Sequence, residues 1–182
     1  MHWPPDPAAF AAVFLFLYLA HGIADHWLQT DWEATNKGRR DRFGRRACLR
    51  HVVTYTLCTA IAVLSAVLLF DLDVAPLGLL AGQLVSAITH YWADRRYTLE
   101  GLCDLLGKGN FYRLGRPRSV AAWTQRAGEQ GEVGHDHDVK LYADTLDAVS
   151  WDNPSLGTGA YVLDQWWHLA WLGVAAIVTV AL

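Results

Sequence analysis

Apolar residues in this chain gather into four long runs, at about 8–28, 51–70, 76–93 and 160–182, separated by polar segments. A helix needs roughly 20 apolar residues to cross a bilayer, so each run is long enough to span one. Asp6 stands where a helix N-cap belongs and Pro7 at the first helical position, which predicts a helix starting there. The pattern predicts an all-α protein, a four-helix transmembrane bundle forming one integral membrane domain over residues 1–182. The N-terminal run lacks a basic segment before it and a small-residue cleavage site after it, so it is expected to be a retained helix.

Charge orients the bundle. Of the 15 Lys and Arg, seven lie between runs one and two and the other eight between runs three and four, while the DLDVAP link between runs two and three is acidic. The positive-inside rule then places both basic loops in the cytoplasm and both termini outside. Composition agrees: 53% hydrophobic and 18% charged, against about 45–50% and about 25% in soluble domains. A net charge of −3 gives no reason to expect a specific nucleic-acid partner. Cys48, Cys58 and Cys103 form no CxxC pair, which argues against a disulfide scaffold or a cysteine zinc site.

The loop at 95–159 is expected to be a small, partly helical cytoplasmic subdomain. Residues 98–107 fit a short amphipathic helix or an extension of run three, and residues 138–149 fit a second helix capped by Asp138. GEQGEVG between them has no apolar face to bury. The His135–Asp138 stretch after it fits a solvated loop better than a chelate.

The candidate chemistry lies in the runs themselves. His21 and Asp25, His90 and Asp94, and Asp164 and His168 are each four residues apart, one turn apart on a single helical face. His51 opens run two. In an up-and-down bundle all seven meet at one depth near the cytoplasmic interface, whereas the outer halves carry no ionisable group. Ionisable groups within membrane helices are costly and therefore functional suspects, with interhelical hydrogen bonding as the plainer account. As a metal site the set offers imidazole and carboxylate ligands, which suit Zn, Mn or Fe, and seven ligands leave room for two ions. His51 is then a ligand or general base, and Asp25 a second candidate for catalysis. Gln29 and Gln165 stand where they could hydrogen-bond the ligands. Lys37, Arg50, Arg95 and Arg96 flank the site, either as topology markers or as a collar for a phosphate. Tyrosines and tryptophans crowd the same depth, as an interfacial belt does.

The series His21-x3-Asp25-x2-Leu28-Gln29-Thr30, His51, His90-x3-Asp94 and Asp164-Gln165-x2-His168 resembles a bacterial and phage polytopic membrane-protein family of unknown function. More distantly it is similar to predicted membrane-bound metal-dependent hydrolases. The resemblance spans all four runs; Arg96 stands where lysine is expected, and the loop from Leu99 to Gly159 is longer than expected. That family implies no activity of its own; the chemistry of a metal-bound water and the interfacial depth of the site point to a metal-dependent hydrolase of a lipid-linked phosphoester or ester at the inner leaflet, with the bilayer and a phosphorylated or lipid head group as partners. A homo-oligomer is compatible with it. The alternatives are a non-enzymatic membrane interaction protein, phage-encoded among the options, and a metal or proton transporter.

The charge pattern makes a direct prediction. Single cysteine probes at residue 73 should label from outside intact cells, and probes at residue 42 should not. External labelling at 42 would overturn the orientation.

Overall fold

The computed structural model describes residues 4–114 and 159–182. These form helices and no strand: α1 (Pro7–Ile23), a π-helical turn (Ala24–Leu28), α2 (Asp31–Asn36), α3 (Arg42–Phe70), α4 (Pro76–Asp94), α5 (Tyr97–Leu105), α6 (Gly109–Tyr112) and α7 (Gly159–Ala181). The stretches 128–138 and 138–149 lie outside the described residues.

Local chemistry sets the helix ends. Asp6 accepts from the backbone N–H groups of Ala8 and Ala9, and Pro7 opens α1. Asp41 caps α3 through the Gly44 N–H at 2.8 Å. Helix α3 begins at Arg42 and not near His51, so the basic stretch continues the apolar helix by more than two turns. Asp71 ends it at φ 49°, a left-handed conformation that a short polar side chain tolerates. Thr30 and Glu33 form a reciprocal capping box at the start of α2. Helix α5 is separate from α4 rather than an extension of it, because the chain breaks at Arg96, with φ 55°.

The four long helices close a ring: α1 packs on α3, α3 on α4, α4 on α7 and α7 on α1, with α4 and α7 in most extensive contact. Gly78 and Gly82 explain that closeness, since a Cβ on either would overlap the backbone or side chain of Thr179. One apolar core fills the ring around Val13, Leu17, Val63, Leu172 and Ala176. A second joins Leu99, Cys103, Tyr112 and Ala160 beneath Trp92 and Trp167. Between these two cores lies a polar layer.

The outward faces invert the usual rule. Leu68 is 81% exposed and Ile88 65%, and they continue stripes at helical spacing: Val53, Leu57, Ile61 and Leu64 on α3, and Leu77, Leu80 and Leu84 on α4. Rows of exposed apolar side chains of this kind mark a surface that meets lipid or a partner. Among the described residues, Pro7–Leu28 and Arg42–Phe70 are long and apolar enough to cross a membrane.

The glycine contacts generate a paired prediction. Gly82→Val should destabilise the detergent-solubilised protein by at least about 2–3 kcal/mol through overpacking. Gly101→Ala, where an added Cβ meets nothing within 4 Å, should stabilise it by about 0.5–1 kcal/mol. Thermal melting of both variants checks the contrast.

Candidate metal centre

The seven residues singled out by spacing converge on the polar layer. Each long helix contributes: His21 from α1, with Asp25 on the π-turn; His51 from α3; His90 and Asp94 from α4; Asp164 and His168 from α7. They form three overlapping sets able to hold a metal ion: His21, Asp25 and His90; His51, His90 and Asp94; Asp94, Asp164 and His168. His90 and Asp94 are each shared between two sets, so the sets make one cluster.

Its centre is the pair of ring nitrogens His51 Nε2 and His90 Nε2, 3.0 Å apart. Asp25 Oδ1 lies 3.2 Å from the first and 3.5 Å from the second. Asp94 Oδ2 lies 3.3 Å from both. Two triangles thus share the His51–His90 edge, one closed by each carboxylate. Ligand bonds of about 2.0–2.1 Å in tetrahedral geometry space neighbouring ligand atoms by about 3.3–3.4 Å. The edges of both triangles fall around that spacing.

The remaining buried atoms fit the same purpose. Neither nitrogen of His21, nor Asp25 Oδ1, Asp94 Oδ2 or His168 Nε2, has a hydrogen-bond partner. Buried polar atoms are rarely left so, because each costs about 1–3 kcal/mol. His168 Nδ1 sits 2.7 Å from the Asp164 carbonyl. A carbonyl only accepts, so Nδ1 carries the proton and the Nε2 lone pair is available. The imidazoles are fixed by stacking: His90 lies on Tyr55 with centroids 3.8 Å apart, and His21 stacks on His168. The Tyr55 hydroxyl is anchored to Ser86 Oγ at 2.6 Å.

Four basic residues flank the cluster and do different things. Lys37 Nζ bonds Asp94 Oδ1 at 2.8 Å and is itself buried. Burial alone would lower its pKa, but Asp94, then Asp25 and Asp164, outweigh that and hold the ammonium above the usual lysine range. Arg95 donates to the carbonyls of Lys37, at 2.8 Å, and Arg39, tying down the segment that carries Lys37. Arg96 donates to the Ala34 carbonyl and lines the cavity beside the cluster. Arg50 points away, to Glu33 Oε1 at 3.4 Å and over the Trp32 ring.

That cavity, ≈ 180 Å³ in volume, is lined by the three aspartates, Lys37, Arg96, Gln29, Gln165, His26 and Tyr161. Gln29 and Gln165 line it beside the aspartates; Gln165 Nε2 donates to Asp164 Oδ2 at 3.4 Å, whereas Gln29 Nε2 has no hydrogen-bond partner. Three contributors escape sequence reasoning. Tyr55 is one turn beyond His51 on the same face, a signal that spacing could have supplied. Tyr161 and the Thr30–Glu33 box are the others, and the T-x-x-E signature of the box is legible in retrospect.

No family model, curated protein or solved structure matches the chain.

Arg95→Ala should remove two charge-assisted hydrogen bonds to buried carbonyls and cost about 2–3 kcal/mol of stability. Arg50→Ala should cost less, because the contact is long, the arginine is exposed and the buried Glu33 keeps its hydrogen bonds to Thr30. Chemical denaturation of both variants measures the difference.

Proposed function

We propose that the chain is an integral membrane protein of four spans, both termini outside the bacterial inner membrane, with a metal-dependent hydrolytic site at the cytoplasmic interface. The observation that carries this reading is the pair of triangles on the His51–His90 edge, one closed by Asp25 and the other by Asp94, each at ligand spacing and held inside a bundle whose outward surface is apolar. Buried carboxylates are costly without compensating positive charge, and three of them here have one ammonium, Lys37, in direct contact with Asp94. The resemblance to predicted membrane-bound metal-dependent hydrolases points the same way.

In this reading His51, His90, Asp25 and Asp94 hold a divalent ion of the Zn, Mn or Fe type. Such an ion, when bound, polarises a phosphoryl or carbonyl oxygen and lowers the pKa of bound water. The chain does the rest. Lys37 fixes Asp94 through its other oxygen, leaving Oδ2 toward the imidazoles. Tyr55 holds the plane of His90. His168 is placed to take a proton at Nε2 while its Nδ1–H stays on the Asp164 carbonyl. Gln29 and Gln165 offer amide donors at the cavity wall, and Arg96 offers a planar cation to an anionic substrate. The substrate class is a lipid-linked phosphoester or ester, because the cavity lies at the end of apolar helices.

Charge favours a single ion. Three aspartates against Lys37 and Arg96, which line one cavity, sum to −1 when the imidazoles are neutral, as metal binding requires. One divalent ion brings the site to +1, and two would bring it to +3 in a poorly solvated place.

Elemental analysis of gently purified protein should therefore give one ion per chain. His51→Ala and Asp94→Asn should lose it, and His168→Ala should weaken binding by about 10–100-fold. At 100–1,000 times its dissociation constant the ion should stabilise the wild type by about 2.7–4 kcal/mol, and a chelator should reverse this. Protein that carries no metal and gains no stability from Zn²⁺, Mn²⁺ or Fe²⁺ would defeat the metal site. Metal without turnover of any phospholipid would leave a structural centre.

A further inference from the structure

The polar cavity has a neighbour. A recess of ≈ 120 Å³ lies between α1 and α7, lined by Tyr18, His21, Gln165, Trp166 and Leu169. It adjoins the site at two points: Gln165 also lines the polar cavity, and His21 belongs to one of the ligand sets. His21 is 4% exposed, yet neither of its ring nitrogens has a hydrogen-bond partner, Nδ1 facing Asp25 Oδ2 only at 3.5 Å. A buried polar side chain thus closes the inner end of a recess with mostly apolar walls.

The outer end faces the apolar surface. Tyr18 and Trp166 are largely exposed, and Leu15 and Leu19 flank Tyr18 on the outside of α1. Tyr18 stands seven residues before Asp25, about 10 Å along the helix and on its apolar side. The seam is also the looser flank of α7, which packs more extensively on α4 than on α1. A Cβ on Gly22, one turn on from Tyr18, would meet no atom within 4 Å.

The charge of the cavity indicates what head group belongs there. Asp25, Asp94 and Asp164 against Lys37 and Arg96 leave −1, and one divalent ion turns this to +1. A phosphodiester, with its single negative charge, complements that value; a neutral ester does not.

We propose that the α1–α7 seam is the lateral seat for the hydrocarbon chain of an amphiphilic phosphodiester, whose head group enters the His/Asp cavity past Gln165 while its chain stays in apolar surroundings. This rests on the metal-site reading above. Without such a seam, the head group could reach the cluster only by drawing its chain into water. Each exposed methylene would then weaken binding about fourfold. The seam removes that penalty, so the chain adds no affinity of its own but makes the head group's approach possible.

Photolabelling tests the seat without needing turnover. Metal-loaded protein in detergent is irradiated with lysophosphatidylglycerol carrying a chain diazirine, or with the monoacylglycerol of the same chain. Labels are then located by mass spectrometry. The phosphodiester probe should mark Tyr18, Trp166 and Leu169 at least about tenfold more than the alcohol, a difference of about 1.4 kcal/mol in binding. Leu169→Trp and Gly22→Leu should each fill the seam and cut that labelling about tenfold, with bound metal unchanged; the second, at a position where an added Cβ meets nothing within 4 Å, serves should the first fail to fold. Equal labelling by both probes would reduce the seam to ordinary lipid-facing surface and overturn the proposal. Absence of label together with cross-links between copies would make it a helix–helix interface and overturn it as well. Specific labelling without phospholipid turnover would sustain the seat while the hydrolase reading fails.

Discussion

Three carboxylates enclosed among apolar helices are the constraint from which the rest of this structure follows. Asp25 and Asp94 are almost without solvent contact, and Asp164 has little. A carboxylate removed from water costs several kcal/mol unless a cation compensates it. The chain supplies one cation of its own, and doing so shapes the whole segment after α1. Lys37 reaches Asp94 only because the chain turns back at Gln29, starts α2 on the Thr30–Glu33 box, and is then held by Arg95 and Arg96 through the carbonyls of Lys37, Arg39 and Ala34. The small connection is a device for bringing one ammonium inward.

Packing far from the cluster decides whether its atoms meet. The Gly78 and Gly82 surfaces let α7 approach α4 closely, and that approach sets Asp164 and His168 beside His90 and Asp94. Tyr55 and Ser86, with Thr59 and Gln83 a turn further on, lock α3 to α4 by hydrogen bonds that leave the imidazoles free. Apolar halves and polar layer are therefore one mechanical unit: a loosened helix contact would be felt as a displaced ligand.

The cluster was legible in the sequence because two periodicities agree. Helical spacing pairs the residues within each run, and the alternating basic loops bring the paired ends to one depth. The helical class was equally open, since long apolar runs capped by Asp6 and Pro7 admit little else. What stayed hidden has physical reasons. The start of α3 at Arg42 was masked because Arg42, Arg45, Arg46 and Arg50 interrupt the apolar pattern without interrupting the helix. Arg95 and Arg96 are adjacent and alike, and both brace the segment after α1, yet Arg96, at positive φ, also lines the cavity. Arg50 seemed equivalent to them until its Glu33 partner was placed. No residue type announces a π-turn, and the one after Ile23 left no trace in the pattern.

That π-turn carries a consequence for how this chain can vary. A π-turn is in effect one residue more than an α-helix needs for the same rise, and such bulges concentrate at functional sites. Between Ala24 and Leu28 the surplus residue is stored within the helix that presents Asp25 and ends at Gln29. Deleting Ala24 would restore a regular helix and rotate Asp25 and everything after it by about 100° relative to His21. Asp25 would no longer face His51 and His90, although composition, hydropathy and helix content would hardly change. Length in this short segment is therefore under tighter constraint than identity. Two chains differing by a single omitted residue here would be nearly the same protein by every bulk measure and different ones by geometry.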